Sequence, residues 1–354
     1  MAASPVSWFP TQPDEIDDAW LSRILGAEVR SHRVEALRDR QGVNGETHRI
    51  VVEGDGTPRS IVAKFPHAPS RGVAVYQRWY EREVRFYREL APQTPFPTPR
   101  CYAAEIAPSD DFVLVLEDLA RYPQGDQVAG CSAERATSVV RSLAALHARW
   151  WEPEPAEHPW LPFTTVGLDR GRPVQGAFAR AWERVRDAVE PGAHAVLDAG
   201  VEQYVDLLTE ISTGPVTLCH GDFRLDNLFL PDGPGAEPIA FDWQFACRAR
   251  GAYDLAYFLA LDLEPDELAR HEGALLEAYR DALAERGVEY AATSLRRDYA
   301  VSLVLSTAVF AIGAGGPQPS EASRVMHEVG LARLGRAIAR LAAAGWPERE
   351  STSA

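Results

Sequence analysis

Apolar and polar positions follow two different periods along this chain, and the change from one to the other divides it. Short apolar runs bounded by Gly, Pro and polar clusters predict strands at His32 to Leu37, Thr47 to Glu53, Arg59 to Phe65, Arg100 to Ile106 and Phe112 to Leu119. A short helix near Ile16 to Leu25 precedes them, within an N-terminal extension of residues 1–30. One helix interrupts the strands, from Val75 to Leu90, where Tyr76, Tyr80, Tyr87 and Leu90 recur at helical steps and mark one face. Beyond Gly130 the period becomes helical almost throughout. Ser132 is the expected N-cap of a helix carrying the stripe Val139, Leu143, Leu146 and Trp150. Further helices are predicted near Ala177–Val189, His194–Ile211, Ala252–Leu263, Glu264–Arg286, Leu295–Gly313 and Ser320–Ala344. In the last, Leu331, Leu334, Ile338 and Leu341 face inward and Arg333, Arg336 and Arg340 outward. Strands first and helices second make an α+β chain, divided into residues 1–119, a mainly antiparallel sheet with one helix, and residues 120–354, mainly helical.

The stretch from Leu218 to Trp243 departs from the helical half. It reads as strand, polar loop, strand, turn, strand, with Asp222, Asn227 and Asp242 at strand ends. The spacing H-x-D-x-x-x-x-N, with a further Asp flanked by apolar residues about twenty positions on, is that of a kinase catalytic loop and its metal-binding Asp. The chemistry explains it: one carboxylate meets the substrate hydroxyl, while an amide and a second carboxylate hold Mg²⁺ on the phosphates. The competing reading is a hairpin whose polar residues merely cap turns. Arg224, two residues after Asp222, is a candidate to grip the transferring phosphate in a bidentate fork, or alternatively to brace Asp226. Cys219 beside His220 reads as core rather than nucleophile.

Other candidates lie upstream. Lys64 stands near the end of its strand, and Glu83 falls inside the aromatic stripe of the following helix, where an unpaired carboxylate is costly. Lys64 is its natural partner. The turn carrying Gly42, Asn44 and Gly45 lies between two strands, where missing side chains would let backbone N–H groups approach phosphate oxygens. The strand ending at Glu117 to Leu119 offers backbone groups to an adenine. Asp254, near the start of its helix, is placed to cap or brace the preceding loop. His147 beside its apolar stripe reads as a hydrogen-bonded core histidine.

Composition narrows the classes. The chain has 354 residues, 46% hydrophobic, which is enough for a sizeable core, and a net charge of −15, which disfavours a nucleic-acid partner. Its four cysteines form no C-x-x-C pair, so neither a disulfide framework nor a zinc site is expected, and a cytoplasmic, reducing setting is the default. The start lacks a signal-peptide pattern, and the apolar run Tyr299 to Ala314 is short for a bilayer and reads as a buried helix, so no membrane association is expected.

Lys64, Glu83, the L-V-L-E-D-L strand, H-G-D-F-R-L-D-N and F-D-W-Q together resemble the aminoglycoside phosphotransferase and choline kinase superfamily over roughly residues 30 to 345. The E-R-E-V-R-F-Y-R-E-L and L-E-D-L segments look most like its ecdysteroid-kinase-like branch. The resemblance implies a bilobal protein-kinase-like fold and Mg·ATP-dependent phosphorylation of a small-molecule hydroxyl, with GTP the alternative nucleotide. By the same resemblance Asp222 is the catalytic carboxylate, Asn227 and Asp242 the magnesium ligands, Lys64 the phosphate-binding lysine and Glu83 its partner, with the Gly42–Gly45 loop over the phosphates. The chain departs from protein kinases in three places: the full G-x-G-x-x-G is missing, D-W-Q replaces D-F-G, and no A-P-E follows. Two rivals remain, an inactive nucleotide- or ligand-binding protein of this fold and a protein kinase. The first would have lost one of Lys64, Asp222, Asn227 or Asp242. The second needs a long segment after Asp242, whereas only eleven residues separate Asp242 from Asp254. The expected acceptor pocket is walled by residues 151–211 and the helices after Glu264, lined by Trp243 and the tryptophans of the 150–160 loop.

Overall fold

Alternation of buried and solvated side chains along β3 (Ser60–Pro66) shows how the first part of the chain is layered. The computed structural model describes residues 8–37, 45–152, 157–233, 235–318 and 320–346; Gly42 and Asn44 lie outside them. The chain separates into two compact units, one of residues 1–123 with 239–245 and one of residues 124–238 with 246–354. The segment 239–245, which the sequence reading placed with residues 120–354, packs with the first.

In the first unit, β1 (Ser31–Ala36), β2 (Gly45–Glu53), β3, β4 (Cys101–Ile106) and β5 (Phe112–Glu117) form one antiparallel sheet in the order β1-β2-β3-β5-β4. Ile61, Ala63 and Phe65 of β3 are buried with Ile50, Val52, Val113 and Val115 in a core completed by Trp20 and Leu21 of α1 (Asp18–Leu25). Successive strand residues point to opposite faces, so Lys64 faces away from that core. On its register it lies opposite Thr47 on one side and Leu114 on the other.

The helical segment that follows is less regular than its period suggests. It runs as α2 (Arg71–Tyr76), α3 (Trp79–Arg85) and one π-helical turn at Phe86–Leu90. Arg78 sits between the first two at φ +57°, a conformation costly for any residue but glycine, and the helix axis breaks there. That break corrects one expectation: Tyr76 is 62% exposed and belongs to no inner face. Tyr80, Arg82, Glu83, Val84, Phe86, Tyr87 and Leu90 are the buried set of α3 and the π turn. Tyr80 packs on Phe112, ring centroids 4.5 Å apart.

In the second unit, α4 (Ala133–Arg149) starts at Ser132, whose hydroxyl accepts the Arg135 N–H at 3.2 Å. After it come α5 (Gly171–Val185), α6 (His194–Glu202), α7 (Tyr204–Ile211), α8 (Ala252–Asp262), α9 (Pro265–Ala284), α10 (Ala292–Gly315) and α11 (Glu321–Ala343). Every residue of α8 is buried, two of them carboxylates, Asp254 and Asp262. α10 is long and apolar enough to cross a membrane, but most of it is buried in the protein. Its Asp298 is tied to Arg250 and Tyr290, and Ser302, Ser306 and Thr307 donate to carbonyls one turn back. Arg333 of α11, expected outside, is buried: it donates to the carbonyls of Gln127 (2.5 Å) and Leu261 (2.6 Å) and pairs with Glu264. The helical period marked a polar position there, and four partners from neighbouring segments, the Val128 carbonyl among them, cover it.

Candidate active site

Two groups of polar side chains stand out, one in each unit. In the first, the Lys64 ammonium donates to Glu83 Oε2 at 2.7 Å and to Asp242 Oδ1 at 2.7 Å. Glu83 is brought there by the buried face of α3, Lys64 by β3, and Asp242 by the segment after Ala240, whose N–H donates to the Pro97 carbonyl at 2.9 Å. Gly45 explains how the lysine reaches them. A Cβ at Gly45 would lie 2.4 Å from Lys64 Cε, so the aliphatic stem of Lys64 occupies the space a side chain would fill. Gly45 thus opens β2, paired with Pro66, and accommodates Lys64.

The electrostatics of this trio follow from one cation serving two anions. Burial disfavours the Lys64 charge, yet Asp242 and Glu83 together hold its pKa above the ordinary lysine value. Burial, with the charge of Asp242 adding to it, pushes the Glu83 carboxyl up to about 7 although Lys64 pulls the other way. Asp242 also takes a hydrogen bond from Gln244 Nε2 at 3.3 Å and has φ +64°. A non-glycine residue held in the left-handed region is a strained position of the kind that clusters at functional sites.

Trp243 has other work than the sequence suggested, and Phe245 shares it. Trp243 is fully buried and stacks on Phe86, centroids 3.8 Å apart and planes 7° apart, with its indole N–H donating to the Ala240 carbonyl at 3.3 Å. Phe245 meets Trp79 edge-on at 5.0 Å. These rings anchor the segment bearing Asp242 to α3 and the π turn, which corrects the expectation that Trp243 lines a pocket. Trp150 and Trp160 are likewise buried, at 6% and 4% exposure, and belong to the core of the second unit, whereas Trp151 is half-buried and meets Tyr290 edge-on at 5.5 Å.

The strand ending at Glu117 leads into a pinned turn. The Asp118 carboxylate accepts from Arg49 Nε (2.6 Å), Ser60 Oγ (2.8 Å) and the Ala120 N–H (3.0 Å). Burial opposes its charge, but Arg49 and Ser60 hold its pKa below the usual value. Glu117 pairs with Arg121, and the Leu119 carbonyl accepts the Tyr122 N–H at 2.9 Å.

In the second unit the turn from Asp222 to Asn227 is held from several directions. Strand Thr217–Cys219 pairs antiparallel with Cys247–Ala249, and Gly221 follows at φ +85°, turning the chain. Asp254, in the first turn of α8, accepts the N–H of His220 at 2.6 Å and of Gly221 at 2.9 Å, the bracing role its position suggested. His147 Nε2 is 3.5 Å from Asp254, and His147 Nδ1 bonds the Tyr279 hydroxyl at 2.7 Å. His147 and Cys219 are core residues, and burial pushes the Cys219 thiol well up.

Within the turn, Asn227 Nδ2 donates to the carbonyl and to Oδ2 of Asp222, both at 2.8 Å. With its NH₂ turned to a carboxylate, its amide oxygen is the atom left for a cation. Arg224 is largely buried. It donates to both Asp222 oxygens (3.2 and 3.3 Å), to Gln127 Oε1 (3.1 Å) and to Asp226. Burial opposes its charge, but Asp222 and Asp226 raise its pKa above the ordinary value. Through Nε and Nη1 the guanidinium thus binds Asp222, Asp226 and Gln127, and the contact with Asp226 is the one the bracing alternative named. Tyr257 of α8, missed from sequence, lies beside Asp222; burial first and that carboxylate second push its pKa well up. The only sequence signal for it was its place one turn after Asp254 in an all-apolar run.

Each unit offers a hard oxygen donor of the kind a divalent cation takes, Asp242 in the first and Asn227 in the second, and the Lys64 ammonium suits phosphate oxygens.

Comparison with known proteins gives one family and a fold. Residues 40–290 match the family described as "Phosphotransferase enzyme family". No curated protein matches the sequence. Among solved structures, the chain is similar to a macrolide 2′-phosphotransferase from Brachybacterium faecium (16% identity, 88% of this chain and 95% of that one, TM-score 0.51). It is also similar to an amicoumacin kinase in complex with AMP-PNP, Ca²⁺ and its ligand (12%, 87% and 88%, TM-score 0.54). A third is choline kinase from Cryptosporidium parvum (9%, 93% and 91%, TM-score 0.55). At these identities the likeness is one of fold: an α+β kinase-like architecture with an antiparallel sheet before a helical part.

Proposed function

The chain belongs to the phosphotransferase enzyme family, and on that premise we propose that it transfers the γ-phosphoryl group of Mg·ATP to a hydroxyl of a small molecule. The observation that carries this reading is the turn Asp222–Asn227, in which the carboxylate and the amide are bonded to each other while the backbone hangs from Asp254.

Asp222 accepts the hydrogen bond of the acceptor hydroxyl, orients its oxygen toward the phosphorus and takes its proton as the new O–P bond forms. The bond from phosphorus to the bridging oxygen breaks, and the nucleoside diphosphate leaves. Arg224 holds the Asp222 carboxylate in place from the other side. Lys64 neutralises phosphate oxygens and is itself aimed by Glu83. Mg²⁺, when bound, would supply positive charge on the phosphates, and Asp242 and Asn227 would be the residues to hold it. Catalysis of this kind is mostly positioning and charge stabilisation, which fits a site whose side chains are so thoroughly tied down. The amicoumacin kinase of this fold, solved with AMP-PNP and Ca²⁺, supports a nucleotide and a divalent cation as partners.

A small acceptor is favoured over a peptide because eleven residues separate Asp242 from Asp254, too few for an activation loop and peptide platform. The narrower likeness to the ecdysteroid-kinase-like branch rests on its two sequence segments alone.

The test is purified protein with Mg·ATP and pooled hydroxylated metabolites, read by mass spectrometry. We expect a phosphoryl mass gain on a small alcohol that is absent with Asp222→Asn. Labelling of protein substrates with no phosphorylated small molecule would overturn the reading.

A further inference from the structure

α8 carries a second buried carboxylate that faces the same turn. Asp254 grips the entry to it, at His220 and Gly221. Two helical turns later, Asp262 is 0% exposed and its Oδ2 accepts the N–H of Leu225 at 3.1 Å. Leu225 lies between Asp222 and Asn227 and begins the 3-10 turn that brings Asn227 round. Asp262 is itself immobilised. Its carbonyl accepts the Cys131 N–H at 2.9 Å, and Arg333 clasps the neighbouring Leu261 carbonyl at 2.6 Å. Arg333 directs its donors to the carbonyls of Gln127, Val128 and Leu261 and to Glu264. Oδ1 of Asp262 is buried with no hydrogen-bond partner among the described residues.

We propose that Asp262 is a positioning residue of the phosphoryl-transfer site: by accepting the Leu225 N–H it sets the 3-10 turn on which Asp222 and Asn227 are presented together. The proposal rests on the reading of Asp222 and Asn227 given above. What the role needs is an acceptor oxygen at this place, and a negative charge is not required. Burial first, then the charge of Asp226, push the carboxyl well above its usual range, which agrees with a neutral group. Loss of the oxygen would leave a buried N–H unpaired, at about 1–3 kcal/mol, and free the turn to move.

The experiment compares Asp262→Asn, which keeps an acceptor oxygen, with Asp262→Leu, which keeps bulk and removes it. The readouts are kcat for Mg·ATP hydrolysis with water as acceptor, Mg·ATP affinity by calorimetry, and hydrogen exchange of the 220–228 peptide. We expect D262N to stay within about threefold of the parent kcat. D262L should lose about tenfold or more, with faster exchange in that peptide and nucleotide affinity within twofold; tenfold corresponds to about 1.4 kcal/mol of barrier. Should D262L not fold, Asp262→Ala takes its place. Parent-like kcat in the oxygen-deficient variant, or an equal loss in D262N, would overturn the proposal. Asp222→Asn, run alongside, separates the two claims: unchanged hydrolysis there refutes the catalytic reading itself, whatever Asp262 does.

Discussion

The Lys64 ammonium lies 2.7 Å from Asp242, a residue far along the chain, and at the same distance from Glu83. One lysine therefore compensates two carboxylates, and removing it should be felt twice. In Lys64→Ala, Glu83 is left buried without a cation, a loss of about 3–5 kcal/mol when one member of a buried pair is removed. Adding Glu83→Gln should restore a large part of that stability, and no part of the turnover. Thermal melting of the three variants checks this; a Lys64→Ala protein that melts with the parent would contradict it. Turnover of the single variant should fall by about 100-fold to 1,000-fold, the size expected for loss of one charge-stabilising donor.

On the function proposed above, in which Asp242 would hold the cation and Asp222 the acceptor hydroxyl, the two should fail differently when each becomes Asn. Asp242→Asn removes a charged oxygen ligand from a hard cation and should weaken Mg·ATP binding, about tenfold or more. Asp222→Asn should leave that affinity nearly intact and lower kcat, because Asp222 addresses the acceptor. Isothermal titration with Mg·ATP and single-turnover kinetics separate the two. Equal nucleotide affinity in both variants would count against the assignment.

Glu83 gives the nucleotide-free protein a pH signature. Its folded-state pKa, about 7, is above the ordinary 4.5, so the unfolded chain releases this proton first as pH rises. The group's contribution to stability is complete below about pH 4.5 and is lost as pH climbs through 7, up to roughly 3 kcal/mol in all. Asp262, raised for the same reason, tilts the curve the same way, and Asp118, lowered, tilts it the other way. The parent's melting temperature should therefore drop more between pH 5 and pH 8 than that of Glu83→Gln. Parallel curves for the two proteins would show that Glu83 does not titrate in that window.

How much of this was legible beforehand depended on whether a residue's partner was local. The strands are close to where the alternation puts them, because burial of one sheet face writes itself into the sequence at period two. Glu83 was legible for a similar reason: a carboxylate within an apolar helical stripe demands a cation, and Lys64 supplies it. Tyr76 was misplaced because the break at Arg78 is a matter of backbone dihedral, which a side-chain period does not record. Arg333 and Trp243 were misplaced because their surroundings come from distant segments: carbonyls of residues 127, 128 and 261 for one, the ring of Phe86 for the other. Asp262 left no mark at all, sitting at the end of a helix whose every residue is buried.

Arg224 is the residue whose assignment changes the expected kinetics most. A guanidinium aimed at the transferring phosphate would contribute to the transition state directly, and its loss would also touch nucleotide affinity. In the structure its Nε reaches both oxygens of Asp222 and its Nη1 reaches Asp226 and the Gln127 amide oxygen, contacts that orient the carboxylate proposed above to take the hydroxyl proton. Removing it leaves Asp222 and Asp226 two residues either side of the gap, facing each other's charge without a cation between them. Arg224→Ala should therefore lower kcat by about 10-fold to 100-fold, since misplacing a positioned group by an ångström costs on that order, while Mg·ATP affinity stays within twofold. Lys at this position should rescue poorly, because a single ammonium cannot span acceptors that a planar fork reaches together. Pre-steady-state turnover and titration calorimetry on R224A and R224K decide it. A shared loss of kcat and nucleotide affinity would return Arg224 to the phosphate, and full rescue by lysine would remove the geometric argument for the fork.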